Sequence, residues 1–172
     1  MIDFANNHIP DVNKILQKTA IDLKYKYYNV SRFADIVINP SEDTWSGINF
    51  VSIYENVITG FIKVKFTNPY RAAELSMFNT ISNLVFMQDV REVIIMLFNV
   101  YKVPRISFSV LIGNPVEQVY DKVIGSFGGR IWGKSRKATL AMDGEVCDMK
   151  HYEILYEDFL QSKVYQRGEA NE

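Results

Sequence analysis

"IGNPVEQVYDKVIGSFGGRIWG", residues 112–133, is the stretch on which the fold turns. Just upstream, "RISFSVLIG" alternates apolar and polar residues with the period of a strand. Asn114-Pro115 interrupts it, because a residue before proline is pushed out of helical φ/ψ and Asn-Pro opens turns. "PVEQVYDKVIGSF" is then amphipathic at helical spacing, carries Tyr120, and is closed by glycines. "GRIWGK" resumes an extended pattern. The joint reads strand, short helix, strand, with an asparagine at the turn and a tyrosine on the helix.

Outward from this joint the elements are mixed. "MIDFA" has the pattern of a short first strand. A helix follows in "IPDVNKILQKTAIDLKYKYY", with Pro10 in its first turn, Asp11 placed to favour the helix dipole, and Val12, Ile15, Leu16, Ala20 and Leu23 at helical spacing. "RFADIVI" is compatible with a helix end or a strand. "INFVSIYENVITGFIKVKF" is a hairpin turning at Glu55–Asn56, and Gly60 inside it marks a bulge or a close neighbour. "TNPYR" is a loop and "AAELSMFNTI" a further strand. "DVREVIIMLFNVYK" reads as a helix with Asp89 as its N-cap, apolar over most of its circumference and therefore buried. After the joint, two long strands meet at "MDGE", where Asp-Gly is a hairpin turn. The order predicts one α/β domain over residues 1–160, with a mixed, largely antiparallel sheet and helices on both faces. Residues 161–172 read as a polar, frayed tail.

Bulk composition narrows the function. The chain has 172 residues, which suits one domain, and 48% apolar residues, enough for a full core. A net charge of −1, with both signs interspersed, gives no argument for nucleic acid or a membrane surface. A single cysteine, Cys147, excludes an internal disulfide and suits a reducing compartment. "MIDFANNHIPDV" lacks the basic flank and apolar run of a signal peptide, and the apolar run "VIIMLF" is too short to span a bilayer. A cytoplasmic location is the expectation. His8 and His151 have no metal-ligand partner at helical or hairpin spacing, so no metal site is expected.

The ordered set of segments resembles the GCN5-related N-acetyltransferase (GNAT) family over most of the chain. "MIDFANNHIPDVNKIL" is similar to the family's first strand and helix, "FVSIYENVITGFIKVKF" to its central hairpin, and "AELSMF" to the strand whose backbone receives the acetyl group. "RISFSVLIGNPVEQVYDKVIGSFGGRIWGK" resembles its strand, Asn, Tyr-bearing helix and following strand, and "MDGEVCDMKHYEILYEDF" its closing hairpin. The resemblance implies direct attack of an amine on the thioester of acetyl-CoA. It implies that strands four and five splay around the pantetheine chain. It assigns the backbone of Met77, Phe78 and Asn79 to polarising the thioester carbonyl, Asn114 to a pantetheine contact, Tyr120 to the general acid and Glu74 to the base.

One motif departs from the family. Its glycine-rich loop, Gln/Arg-x-x-Gly-x-Gly/Ala, holds the pyrophosphate on backbone N–H groups and a helix N-terminus. Here the region reads "FNTISNLVFMQDV", with no glycine and no arginine. Val85 and Phe86 are expected to crowd a phosphate there, and Asp89 to repel one. The Asn-to-Tyr spacing is also tighter than usual in the family.

Each site residue has a plainer reading. Tyr120 packs with a wet hydroxyl, Asn114 serves a turn or a helix N-cap, and Glu74 faces solvent. Arg130, Lys134, Arg136 and Lys137 form either a solvated hairpin or a patch for phosphate or an acidic partner. The aromatics of "KYKYYNVSRF" either line a substrate groove or a protein contact, or pack a helix on the sheet. Met77, Met87 and Met96 read as core filler, and Cys147 as a small buried or half-buried strand residue. Two functions follow. One is an acetyl-CoA-dependent N-acetyltransferase acting on an amine. The other is a GNAT-fold module without catalysis, with a degenerate phosphate loop. That module would serve protein partners, a homo-oligomer or a larger assembly such as a virion.

Overall fold

The structure, a computed structural model, describes residues 1–20, 22–28, 47–67, 71–81 and 84–169. Seven strands form one sheet: β1 (Ile2–Phe4), β2 (Gly47–Tyr54), β3 (Val57–Thr67), β4 (Ala72–Asn79), β5 (Arg105–Leu111), β6 (Arg130–Leu140) and β7 (Val146–Leu155). Their spatial order is β1-β2-β3-β4-β5-β7-β6, antiparallel throughout except for the parallel β4–β5 pair. The helices are α1 (Ile9–Thr19), α2 (Leu84–Asn99), α3 (Glu117–Val123), α4 (Tyr156–Leu160) and α5 (Lys163–Glu169). The mixed sheet expected from the segment order is present.

Period-two alternation sends the two sides of the strands into separate cores. Phe50, Ile62, Val64, Ala73 and Leu75 join α2 and Tyr120 in the larger core. Val51, Phe61 and Phe78 join Val12 of α1 in the smaller one. Helices therefore cover both faces.

Local chemistry explains most boundaries. Glu55 and Asn56 sit at φ +50° and +62°, the left-handed pair that a two-residue hairpin turn demands. At the second hairpin Gly144 has φ +84°, and Ala141 N–H donates to the Glu145 carbonyl at 2.8 Å. Gly60 answers to both expectations at once. The β2–β3 register shifts beside it, and a Cβ there would lie 2.4 Å from the Phe86 ring.

Three expectations are corrected. Asp89 is not a helix N-cap: α2 begins at Leu84, so Asp89 lies in its second turn, buried, with Oδ1 3.4 Å from the Met1 ammonium. "LVFMQ" continues the helix because its residues are compatible with helical φ/ψ and Phe86 packs into the core. Leu23 is not on the α1 apolar face. That helix ends at Thr19, the Asp22 side chain accepts from Lys24 N–H, and the 3₁₀ turn Leu23–Tyr25 leaves Leu23 exposed. The segment read as a frayed tail carries α5, whose Val164 and Tyr165 pack on the larger core. The prediction left open at "RFADIVI" lies outside the described residues. As expected, α2 is buried over most of its circumference, leaving Leu84, Gln88, Arg91, Glu92 and Asn99 outward.

Among the described residues no helix is long and apolar enough to cross a membrane.

Candidate active site

The parallel β4–β5 ladder is short. It pairs Ala73 with Ile106, Glu74 with Ser107 and Leu75 with Phe108, and goes no further. Beyond it β4 stays on β3 as far as Asn79, while β5 stays on β7 as far as Leu111. The two strands diverge, and a cavity of about 60 Å³ opens between them. Ser76 and Met77 of β4 and Ser109, Val110 and Leu111 of β5 line it, with Asn114 and Tyr120 closing one side and Tyr27, Tyr28 and Met149 the other. A diverging edge leaves strand N–H and C=O groups without a neighbouring strand, so the gap suits an extended polar chain that takes a strand's place.

Tyr120 is 5% exposed and its ring is wedged edge-on between Phe108 and Tyr152, with centroids 5.3 and 6.0 Å away. Among the described residues its hydroxyl meets only a weak acceptor, the Met77 Sδ at 3.9 Å. Burial, and secondarily Tyr28, pushes this hydroxyl well above the ordinary tyrosine range, so it remains a proton donor at neutral pH. The short helix that bears it is locked to β7. Lys150 pairs with Glu117 and, at 2.8 Å, with Asp121, while the Tyr152 hydroxyl donates to Asp121 at 2.8 Å. The Lys150 ammonium, then the Tyr152 hydroxyl, hold the Asp121 carboxyl below its usual range.

Asn114 sits in the turn after β5. It is buried, its Oδ1 accepts from Val116 N–H at 3.1 Å, and its carbonyl accepts from Glu117 N–H at 2.9 Å. That is the turn-capping role. It also lines the cavity. Met77 shares that cavity. Phe78 turns to the other face against Tyr28 and Phe61, and Asn79 accepts from the Tyr28 hydroxyl at 3.1 Å. The backbone from Met77 to Asn79 lies on the diverged part of β4. Glu74 stands at the closed end, in register with Lys65 and Ser107, and does not line the cavity.

The strap from Asp22 to Tyr28 reaches the cavity through Tyr27 and Tyr28. Lys26 pairs with Asp143 at 2.8 Å and Glu145 at 3.1 Å in the β6–β7 turn, and its carbonyl accepts from Met142 N–H at 3.0 Å. At the other end Tyr28 bonds Asn79 of β4. Of the aromatics in "KYKYYNVSRF", Tyr27 and Tyr28 line the cavity, Tyr25 and Tyr28 pack on Phe78, and Phe33 lies outside the described residues. Ser76, Ser109, Met149 and Lys26 were not legible as site residues. Only their period-two positions on strands offered a signal, and that signal does not say which strands part.

Of the four basic residues of the hairpin, Arg130 pairs with Glu153 at 2.6 Å and Lys134 with Asp148 at 3.1 Å. Cys147 is buried beside Leu111 and Ala141. His8 pairs with Asp3 at 2.9 Å and His151 with Ser135 at 2.8 Å. Among the described residues no three His, Cys, Asp or Glu side chains gather around a metal position.

Fit to a CoA thioester divides between the two ends of the cleft. At the end a pantetheine chain would occupy are the β4–β5 gap and Asn114. At the pyrophosphate end Ser82 and Asn83 lie outside the described residues. Phe86, expected to crowd a phosphate, instead turns inward onto Gly60. Asp89 is buried about 7 Å along the helix axis from its first residue, too far in for the close repulsion expected at a helix start.

No protein-family model matches the chain, and no curated protein does. Solved structures do. Spermidine N-acetyltransferase from Vibrio cholerae, in complex with CoA and spermine, superposes with a TM-score of 0.72 at 14% identity, over 93% of this chain and 97% of that one. A chimera of that enzyme with hSSAT gives 0.71 at 15% identity, over 93% and 97%. A third structure, assigned as an acetyltransferase, gives 0.68 at 17% identity, over 95% and 89%. With the β4–β5 divergence and the strand order, these likenesses establish that the chain has the fold of the GCN5-related N-acetyltransferases.

Proposed function

We propose that the chain is an N-acyltransferase that moves an acetyl group from acetyl-CoA to an amine. The observation that carries this reading is the divergence of β4 from β5 after Leu75, with the poorly partnered Tyr120 hydroxyl at the resulting cavity. A strand pair held together only by backbone bonds gains nothing by separating, and a buried hydroxyl without a good acceptor costs stability. A ligand that enters the gap would offset both. The thioester supplies an activated acyl group. The backbone of Met77 to Asn79 donates to its carbonyl oxygen, Asn114 orients the pantetheine amide, and the Tyr120 hydroxyl gives its proton to the departing sulfur. Glu74 shares the Ser76 side of β4 by strand alternation and takes the amine's proton through water.

Titration calorimetry with CoA and acetyl-CoA tests this. Micromolar binding supports it, and screening of amines, spermine first among them, then follows. Absence of heat at millimolar CoA refutes it. A non-catalytic interaction module is favoured by one observation: Ile81 and Leu84, flanking the position where the family holds pyrophosphate, are 51% and 82% exposed. Failure of CoA to bind decides for that module.

A further inference from the structure

Because β4 and β5 run parallel and part after Leu75 and Phe108, the gap widens toward their C-terminal ends. Two segments stand there: the run from Phe78 to Val90, which leads from β4 into α2, and residues 114–123, which lead from β5 through α3. A CoA molecule with its thiol in the gap would lay its diphosphate and 3′-phosphate on these segments. Phosphates are held by cations or by backbone N–H groups that no side chain covers. From Phe78 to Val90 there is no glycine, and the one charged residue is the anion Asp89. The exposed groups at this rim are apolar, with Ile81 51% and Leu84 82% exposed. On the other rim Glu117 and Asp121 are both paired with Lys150, and Val119 is 39% exposed. Lys122 is the one cation in the two segments. The N-terminus of α2 is by itself worth less than about tenfold in affinity to an exposed anion.

We infer that the donor site recognises the pantetheine arm alone, with the nucleotide end of CoA left in water beyond Ile81 and Leu84. The donor class is then any thioester on a pantetheine arm, with or without a nucleotide at its far end. This rests on the acyltransferase reading. The arm is an uncharged chain of amides and methylenes, and the gap has the matching chemistry: Ser76, Ser109 and Asn114 stand among Met77, Val110 and Leu111. One hydrogen bond to a charged group is worth about tenfold or more in affinity. An unheld nucleotide therefore gives CoA an advantage over pantetheine of less than about tenfold.

Titration calorimetry tests this without an acceptor amine. The probes are CoA, 4′-phosphopantetheine and pantetheine, each at low and at high salt. The three should bind within about tenfold of one another, and CoA affinity should hold as salt rises, because no exposed ion pair is there to be screened. Lys122→Ala should leave CoA affinity in place. Leu84→Arg, at a side chain 82% exposed, should create what the native chain lacks: CoA gains several-fold over pantetheine, and that gain is lost at high salt. A native preference for CoA above about tenfold, or a comparable loss of CoA affinity in Lys122→Ala, overturns the inference and leaves the acyltransferase reading standing. So does Leu84→Arg with a native thermal midpoint and no gain, since the nucleotide then does not pass this rim. No heat with any of the three probes overturns both readings.

Discussion

Replacing Tyr120 by phenylalanine separates a packing tyrosine from a catalytic one, because the two roles predict opposite changes in stability. The ring is held by Phe108 and Tyr152, and phenylalanine keeps those contacts. Only the hydroxyl is lost. A buried hydroxyl left without a partner costs about 1–3 kcal/mol. Here it has a thioether at 3.9 Å, which returns only a fraction of that. Tyr120→Phe should therefore be neutral or stabilising by up to about 1 kcal/mol. For a chain of this length that is a rise of about 2–4 °C in Tm. If the same hydroxyl protonates the leaving thiolate, turnover should fall by about 10²–10⁴-fold with little change in acetyl-CoA affinity. The assays are thermal unfolding, acetyl-CoA calorimetry, and release of free thiol with an accepted amine. A Tm loss of several degrees would show that the hydroxyl has a strong structural partner and would refute the reasoning. So would unchanged turnover at unchanged stability.

Three further outcomes are expected. Gly60→Ala should cost about 1–3 kcal/mol in denaturant unfolding, because its Cβ would sit 2.4 Å from the Phe86 ring, and Phe86→Leu in the same chain should recover part of the loss. Lys26→Ala should speed hydrogen exchange at Met142, whose amide donates to the Lys26 carbonyl, while the global unfolding midpoint holds; equal exchange would mean the strap does not depend on its ion pairs. Asp121 has a lowered folded-state pKa, so its stabilisation is full above the ordinary carboxylate value of about 3.9 and fades as pH falls through the folded-state value. Asp121→Asn should thus flatten the acid side of the stability profile below about pH 4 and leave its shape near neutrality unchanged, as read by melting curves across pH.

Much of the fold was legible because its signals are local. The Glu55–Asn56 and Asp143-Gly144 turns, the period-two runs of β2, β3, β5 and β7, and the glycine stop at Gly128, with φ +75°, each rest on a few neighbouring residues. Backbone sterics and alternation act over that range. The first turn of α2 was missed for the complementary reason: "LVFMQ" carries no cap signal, and the core contact of Phe86 with Gly60 extends the helix past the residue that looked like its start. Leu23 followed the helical period on paper, but a 3₁₀ turn capped by Asp22 changed its phase.

The sequence by itself determined an α/β chain, its two hairpins, and an asparagine and a tyrosine at the joint after β5. Only the tertiary structure decided that these face a cavity. Where β4 leaves β5 depends on which partners each strand keeps on its other side, β3 for one and β7 for the other. That choice is set across tens of residues and by helices packed on both faces, so no window of sequence contains it. The strap that brings Tyr27 and Tyr28 over the gap is likewise fixed by Lys26 meeting a turn more than a hundred residues away.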